Sequence, residues 1–348
     1  MTNAFLERVG IEHPVIQAPM GGANATPPSL VAAVSNAGGL GFLGAAYMSP
    51  DQIAKECAAI RSLTTRPFGL NLFAPTEVGT APTEISAALA IIGRYHQELG
   101  IDPPAEPALP KHTFDEQLDS ALDGGMSVFS FTFNTLPVET IDRVKKRGVY
   151  VIGTATTTEE ARTLAALGVD AIAAQGSEAG AHRGTFAGSF ELSMVGTMAL
   201  IPQIVRAVDL PVIAAGGIMH GQAIVAAMKL GASAAALGTA FLVTDECGVA
   251  ESYKTLVLSA SDDATRLTRA FSGRPARGIV NRAMTEIESS RAILPYPYQN
   301  SLTRDMRTAA AKQDRPEYLS LWAGQGASLS RRMPAAKLVE TLLREMSS

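Results

Sequence analysis

Cysteine is nearly absent: the 348 residues hold two, Cys57 and Cys247. A single pair makes no disulfide framework, and neither cysteine has metal-ligand spacing, so a reducing, cytoplasmic setting is expected. Charge is thin as well. Charged residues make up 18% and the net charge is −4, which leaves no basic surface for nucleic acid. Long apolar runs are missing too. The longest, AIVAAMKLGASAAALGTAFLV, is broken by Lys229 and Gly231. It reads as a helix, a stop and a buried strand, and no membrane contact is expected. The opening MTNAFLERVG has no apolar signal core and carries Glu7 and Arg8. Histidine is limited to five residues, and none clusters with Asp or Glu at metal-binding spacing, so no metal is expected.

What is present is apolar residue, at 47%, and glycine, 31 of them. Parallel strands covered on both faces read as short continuous apolar runs. Eight such runs occur: PVIQA, GLGFL, PFGLNLF, SVFSFTF, VYVIGTA, DAIAAQG, PVIAAGG and SAAALGT. Helical segments lie between most of them. Thr26, Pro27 and Pro28 can start one, and Gly38 and Gly39 can end it. TTTEEARTLAALG has a cap, acidic residues in its first turn and a terminal Gly168. Repeated strand–helix alternation implies a parallel sheet. Eight units favour an α/β fold of the (β/α)8 TIM-barrel type over an open doubly wound sheet. Residues 1–348 are therefore read as one barrel domain with two insertions, at about 75–127 and 245–312. Both are expected to form a helical lid over the rim at the strand C-terminal ends, where barrels keep their active sites.

The chemistry-bearing residues fall at those strand ends. Barrels bind phosphate on the loops after strands seven and eight. Gly216 and Gly217 end the seventh run, and Gly238 and Thr239 end the eighth. Glycines let backbone N–H groups approach phosphate oxygens, and Thr239 adds a hydroxyl. The sixth run leads into AAQGSEAGAHRGTF, which gathers Gln175, Glu178, His182 and Arg183. Gln175 can bond a flat heterocycle, His182 can act as a base near neutral pH, and Arg183 can pair with an anion. Asn71 ends the third run, while Pro19 and Met20 end the first. A buried amide needs partners, and a heterocycle edge or its own turn would serve. Tyr296, Tyr298, Gln299 and Asn300, in PYPYQN, are candidates to close the pocket from above. His96 and His112 read as solvated, and His220 reads equally as a surface residue or a neighbour of the phosphate loop.

QAPMGG, SNAGGLG, PFGLNLF, AQGSEAGAHRGTF, AAGGI and LGTAF, in that order, resemble nitronate monooxygenase, formerly 2-nitropropane dioxygenase. The resemblance runs from about residue 10 to 330 and takes in GRPARGIVN and LWAGQG. It implies bound FMN and the use of dioxygen without a nicotinamide cofactor. It maps FMN contacts onto Asn71, Gln175, Gly180, Gly217, Gly238 and Thr239, and the catalytic histidine onto His182; Pro19, Met20 and Gly216 join the expected cofactor contacts from their strand-end positions. Arg183, Tyr298 and Asn300 are the expected substrate contacts. Two departures stand out. Ala181 occupies a position where the motif usually has a second glycine, and Thr132 one where some members carry a histidine.

The reaction so implied converts an alkyl nitronate, propionate 3-nitronate being the suggested one, to a carbonyl compound and nitrite. The partners are then the small nitronate and O2, with homodimerisation left open. Two other functions compete: an FMN-dependent NADPH enoyl-acyl-carrier-protein reductase and a non-catalytic flavin-binding protein. The reductase usually has a glutamate where Gln175 stands and lacks the arginine after the histidine. A reactive histidine beside the ring counts against a mere carrier.

Overall fold

The structure is a computed structural model and describes residues 3–22, 24–77 and 82–348. The first six strands are β1 (Val15–Gln17), β2 (Leu40–Gly44), β3 (Phe68–Phe73), β4 (Val128–Thr132), β5 (Tyr150–Ala155) and β6 (Ala171–Gln175). A two-residue β7 (Ala181–His182) precedes β8 (Val212–Ala215) and β9 (Ala234–Leu237), and β10 (Thr265–Thr268) and β11 (Ala276–Ile279) follow. Eight of these close a parallel barrel in the order β1-β2-β3-β4-β5-β6-β8-β9, with Val15 of β1 in register with Ala235 of β9. The closed ring is the expected TIM barrel, and its eight strands are the eight apolar runs of the sequence.

Both faces of each strand are buried, which is why the runs are continuous. Inward side chains of Ile16, Phe42, Val128, Ile152 and Ile213 form one cluster with Phe5 and Val9, so the first helix, Ala4–Val9, plugs the N-terminal mouth. Outward side chains pack under the ring of helices in two further clusters. Helix starts follow local chemistry. Ser49 and Thr113 each form a capping box with the residue three positions on, and Thr157 caps Thr158–Ala166 through Glu160 N–H. Thr26 does not cap. Pro27 holds that position, and the Thr26 hydroxyl accepts from Gly44 N–H at 2.9 Å, tying the first loop to the end of β2. The N-cap of Thr197–Ala207 is Gly196, which has no side chain to offer. Glu178 supplies the carboxylate from another loop, 2.9 Å from Thr197 N.

Two long excursions leave the barrel at the strand C-terminal ends. The first holds the helix Ser86–Leu99; its residues 78–81 lie outside the described set. The helix Phe114–Asp123 belongs to the barrel instead. Its Gln117 and Ser120 bond the carbonyls of Met48 and Pro50, and its apolar face joins the core under β3 and β4. The second excursion starts after β9 and ends at the last helix, Ala335–Met346, which returns to the barrel wall beside Gly221–Lys229. It therefore runs past 312 and includes Trp322 and the turns beyond. Within it β10 and β11 form an antiparallel hairpin, and β7 joins as a third strand with Ala276 opposite His182. The two excursions meet where Gln313 donates to Leu99 O at 2.7 Å. No helix of the described residues is long and apolar enough to cross a membrane.

Candidate active site

A cavity opens at the C-terminal ends of the strands, between the barrel and the second excursion. The barrel contributes Pro19, Met20, Asn71, Gln175, Gly216, Gly217, Gly238 and Thr239, among others, and the β6 loop adds Gly180, Ala181 and His182. The excursion contributes Asn300, Arg307, Trp322 and Gly324 from above. Residues 19 to 324 thus converge because parallel strands all end on one rim.

The glycine loops have the shape a phosphate needs. Gly216 and Gly217 hold φ of +116° and +71°, backbone that other residues rarely adopt. The N–H groups of Gly217, Gly238 and Thr239 find no protein acceptor among the described residues. Thr239 Oγ1 accepts from Gly324 N–H at 2.9 Å, which leaves its own proton to give. Gly180 serves close approach as well: a Cβ there would lie 2.6 Å from the backbone at Ala323 and Gly324.

Gln175 lines the cavity, yet its amide is engaged. Nε2 donates to His182 O at 2.9 Å and Oε1 accepts from Gly184 N–H at 2.7 Å, so it holds both sides of the His182 turn. Glu160, fully buried, holds the far end by accepting from Phe186 and Ala187 N–H at 2.6 and 3.0 Å. Asn71 donates to Ser130 Oγ at 2.8 Å. Ala181 sits at φ +60°, which explains why glycine is usual there: L-residues strain in the left-handed region.

His182 lines the cavity inside an aromatic box of Phe73, Phe133, Tyr296 and Trp322, with centroid distances of 6.0, 5.4, 6.4 and 5.6 Å. Burial, and then the positive fields of Arg274 and Arg307, push its imidazole from 6.5 down to about 3. The ring is therefore neutral at neutral pH, in the base form, but far less basic than an ordinary histidine. Local sequence could not foretell this, because both arginines are distant in the chain.

Three sequence expectations place differently. Arg183 does not line the cavity: its guanidinium bonds the Gln175 and Ser193 carbonyls, and the residue is 4% exposed. Tyr298 points into the core beside Leu302 and Met306, while its neighbour Gln299 bonds Leu294 N and Ala270 O. His96 is buried, its Nδ1 hydrogen-bonded to the Asp102 carbonyl, and is not solvated. His220 caps the helix Gly221–Lys229 through Nδ1 and Ala223 N–H.

The charge near His182 comes from Arg274 and Arg307, of which Arg307 lines the cavity. The Arg274 guanidinium lies 4.0 Å over the Phe133 ring and donates to Thr185 O. Arg307 donates to Asn300 O and Oδ1 at 3.0 and 2.9 Å. Neither pairs with a carboxylate among the described residues. The hydroxyl of Tyr47, also at the cavity, is buried without a partner. Arg274 and Trp322 lie in GRPARGIVN and LWAGQG, the two late motifs; Tyr47 and Arg307 lie in no motif.

A family model described as nitronate monooxygenase matches residues 3–345. The chain belongs to the nitronate monooxygenase family. A probable nitronate monooxygenase of Staphylococcus saprophyticus is 38% identical over 97% of this chain and 95% of its own. The solved nitroalkane oxidase of Streptomyces ansochromogenes superposes with a TM-score of 0.89 at 40% identity, covering 99% of this chain and 98% of that one. FabK from Thermotoga maritima is more distant, with a TM-score of 0.76 at 28% identity over 100% of this chain and 96% of its own. As a nitronate monooxygenase relative, the chain is an oxidoreductase of nitronates or nitroalkanes that works with a flavin. The unfilled N–H groups of the glycine loops fit the phosphate end of such a group.

Proposed function

We propose that the protein uses FMN and O2, without a nicotinamide cofactor, to oxidise a small alkyl nitronate that also carries a carboxylate. Propionate 3-nitronate is the fitting example, and the products are a carbonyl compound and nitrite. The observation that carries this reading is the arginine pair, Arg274 and Arg307, flanking His182 without a carboxylate partner among the described residues. Buried cations without counter-charge are costly, and a dianionic substrate supplies what the fold withholds.

Each residue then has a task. Gly216, Gly217, Gly238 and Thr239 would hold the FMN phosphate, and Pro19, Met20, Asn71, Gln175 and Gly180 would border the ring. The flavin, when bound, supplies the electron-accepting chemistry. Arg307, which lines the cavity, orients the anion, with Asn300 fixing its side chain, and Arg274 adds its positive field from beside Phe133. The aromatic box excludes water. His182, neutral, accepts or donates one hydrogen bond at the reacting end; it needs no proton from a substrate that arrives already ionised. Binding an anion beside the arginines offsets their field and raises the basicity of His182.

Aerobic incubation of the yellow protein with propionate 3-nitronate, followed by a nitrite assay, tests the proposal. Nitrite formed without NADPH supports it. No nitrite, together with NADPH-dependent bleaching of the flavin under anaerobic conditions, would overturn it in favour of an enoyl-thioester reductase.

A further inference from the structure

The His182 ring makes one hydrogen bond among the described residues, from Nε2 to Ser272 Oγ at 2.8 Å. Ser272 is 1% exposed and lies in the turn ahead of β11, 90 residues away in the chain. Its hydroxyl has two other polar neighbours, both on Arg274: the N–H at 3.3 Å and the carbonyl at 3.1 Å. An N–H can only donate to the oxygen, and a carbonyl can only accept from it. The hydroxyl carries a single proton. If that proton goes to the Arg274 carbonyl, the imidazole must donate through Nε2–H, and all three contacts are satisfied. If it goes to the imidazole, the Arg274 carbonyl loses its hydrogen bond and two acceptors face each other. Leaving a buried polar group so abandoned is strongly unfavourable.

We infer that Ser272 is a positioning residue: it holds His182 as the Nε2–H tautomer, leaving Nδ1 as the acceptor nitrogen of the ring. A hydrogen bond on one ring nitrogen commonly decides the chemistry of the other. The same turn carries Arg274, so one short segment sets both the ring's tautomer and part of its field. The other charged or titratable groups facing the ring are Arg307, from the helix Tyr298–Lys312, and Tyr296. Neither competes for Nε2 among the described hydrogen bonds. The catalytic consequence rests on the function proposed above; the tautomer does not.

The test is imidazole nitrogen NMR of the full-length, flavin-loaded protein labelled with 15N-histidine. The signal missing in His182→Asn identifies the ring among the five histidines. The expected pattern is a protonated Nε2 and a lone-pair Nδ1 at neutral pH. Ser272→Ala should convert it to a mixture and lower kcat by roughly tenfold or more with little change in KM, as mis-set tautomers do. Ser272→Thr, which keeps the hydroxyl, should restore both. A wild-type ring protonated on Nδ1 overturns the inference, as does Ser272→Ala with an unchanged pattern. Should Ser272→Ala fail to fold, the wild-type pattern still decides. Should no nitronate be turned over, the NMR pattern still reads the tautomer, and the failure falls on the proposed function alone.

Discussion

The two walls of the cavity are built by different means. The barrel wall is backbone: glycines at positive φ, unpaired N–H groups and neutral amides at strand ends. The lid wall is side chain: Asn300, Arg307 and Trp322 line the cavity, with Tyr296 and Arg274 packed behind them around His182 and Phe133. Backbone recognition suits a constant ligand such as a phosphate, because it depends on geometry that any substitution disturbs. Side-chain recognition suits a variable one, because an arginine can be exchanged without moving the chain. The strip between the walls, β7, belongs to both. It leaves the barrel after β6 and pairs with the lid hairpin, so His182 stands at the seam.

If the barrel wall is the cofactor half, it should break first and completely. Gly216→Val puts a Cβ 2.9 Å from Thr197 Oγ1 and 3.2 Å from Ala179 N in a left-handed conformation. The purified variant should lose its flavin, read as loss of visible absorbance with the fold retained by circular dichroism. Retained colour would mean that the phosphate lies elsewhere.

At the seam, His182→Asn should keep the flavin and lose most of its turnover, because the hydrogen bond at the reacting end goes with the imidazole. It should also change the acid stability. Folded His182 titrates near 3, far below its ordinary 6.5, so the folded state resists a proton the unfolded chain accepts. Stability should therefore fall as pH drops from 6.5 towards 3, and the variant should flatten that slope in denaturant titrations across the range. Full activity in the variant would remove His182 from the mechanism.

The lid wall should discriminate rather than abolish. Arg307→Gln should raise KM for propionate 3-nitronate by roughly 10–100-fold, the loss of a charged hydrogen bond, and leave an uncharged-chain nitronate such as ethyl nitronate nearly unaffected. Equal losses for both would mean that the arginine holds the lid and not the carboxylate. The smallest effect is expected at Ala181→Gly. Relieving a residue at φ +60° should stabilise the fold by about 1 kcal/mol, seen as a higher denaturant midpoint. No gain would show that the β7 pairing repays the strain.

The difference between the walls is also the difference between what was and was not legible. The eight strands could be read because each is a contiguous apolar run, and the glycine loops at the cavity because their glycines directly follow two of those runs. His182 was readable for the same reason, standing seven residues beyond Gln175 in one motif. Arg183 was misread because neighbours in sequence can face opposite ways: the residue after a cavity-lining histidine turned its guanidinium inward, onto carbonyls. Tyr298 failed likewise, the first residue of a helix whose core face only packing defines. The helix Phe114–Asp123 was assigned to the lid because a long gap between strands gives no sign of where the barrel resumes.

By itself the sequence determined the barrel, the rim on which the cavity lies, and the glycine loops and histidine that line it, since all of these follow from local periodicity and adjacent residues. Only the tertiary structure decided the electrostatics and the hydrogen bonding of that histidine. Arg274, Arg307 and Ser272 reach it from 90 or more residues away. Such fields depend on distance in space and on burial, and neither quantity is written in the order of the chain.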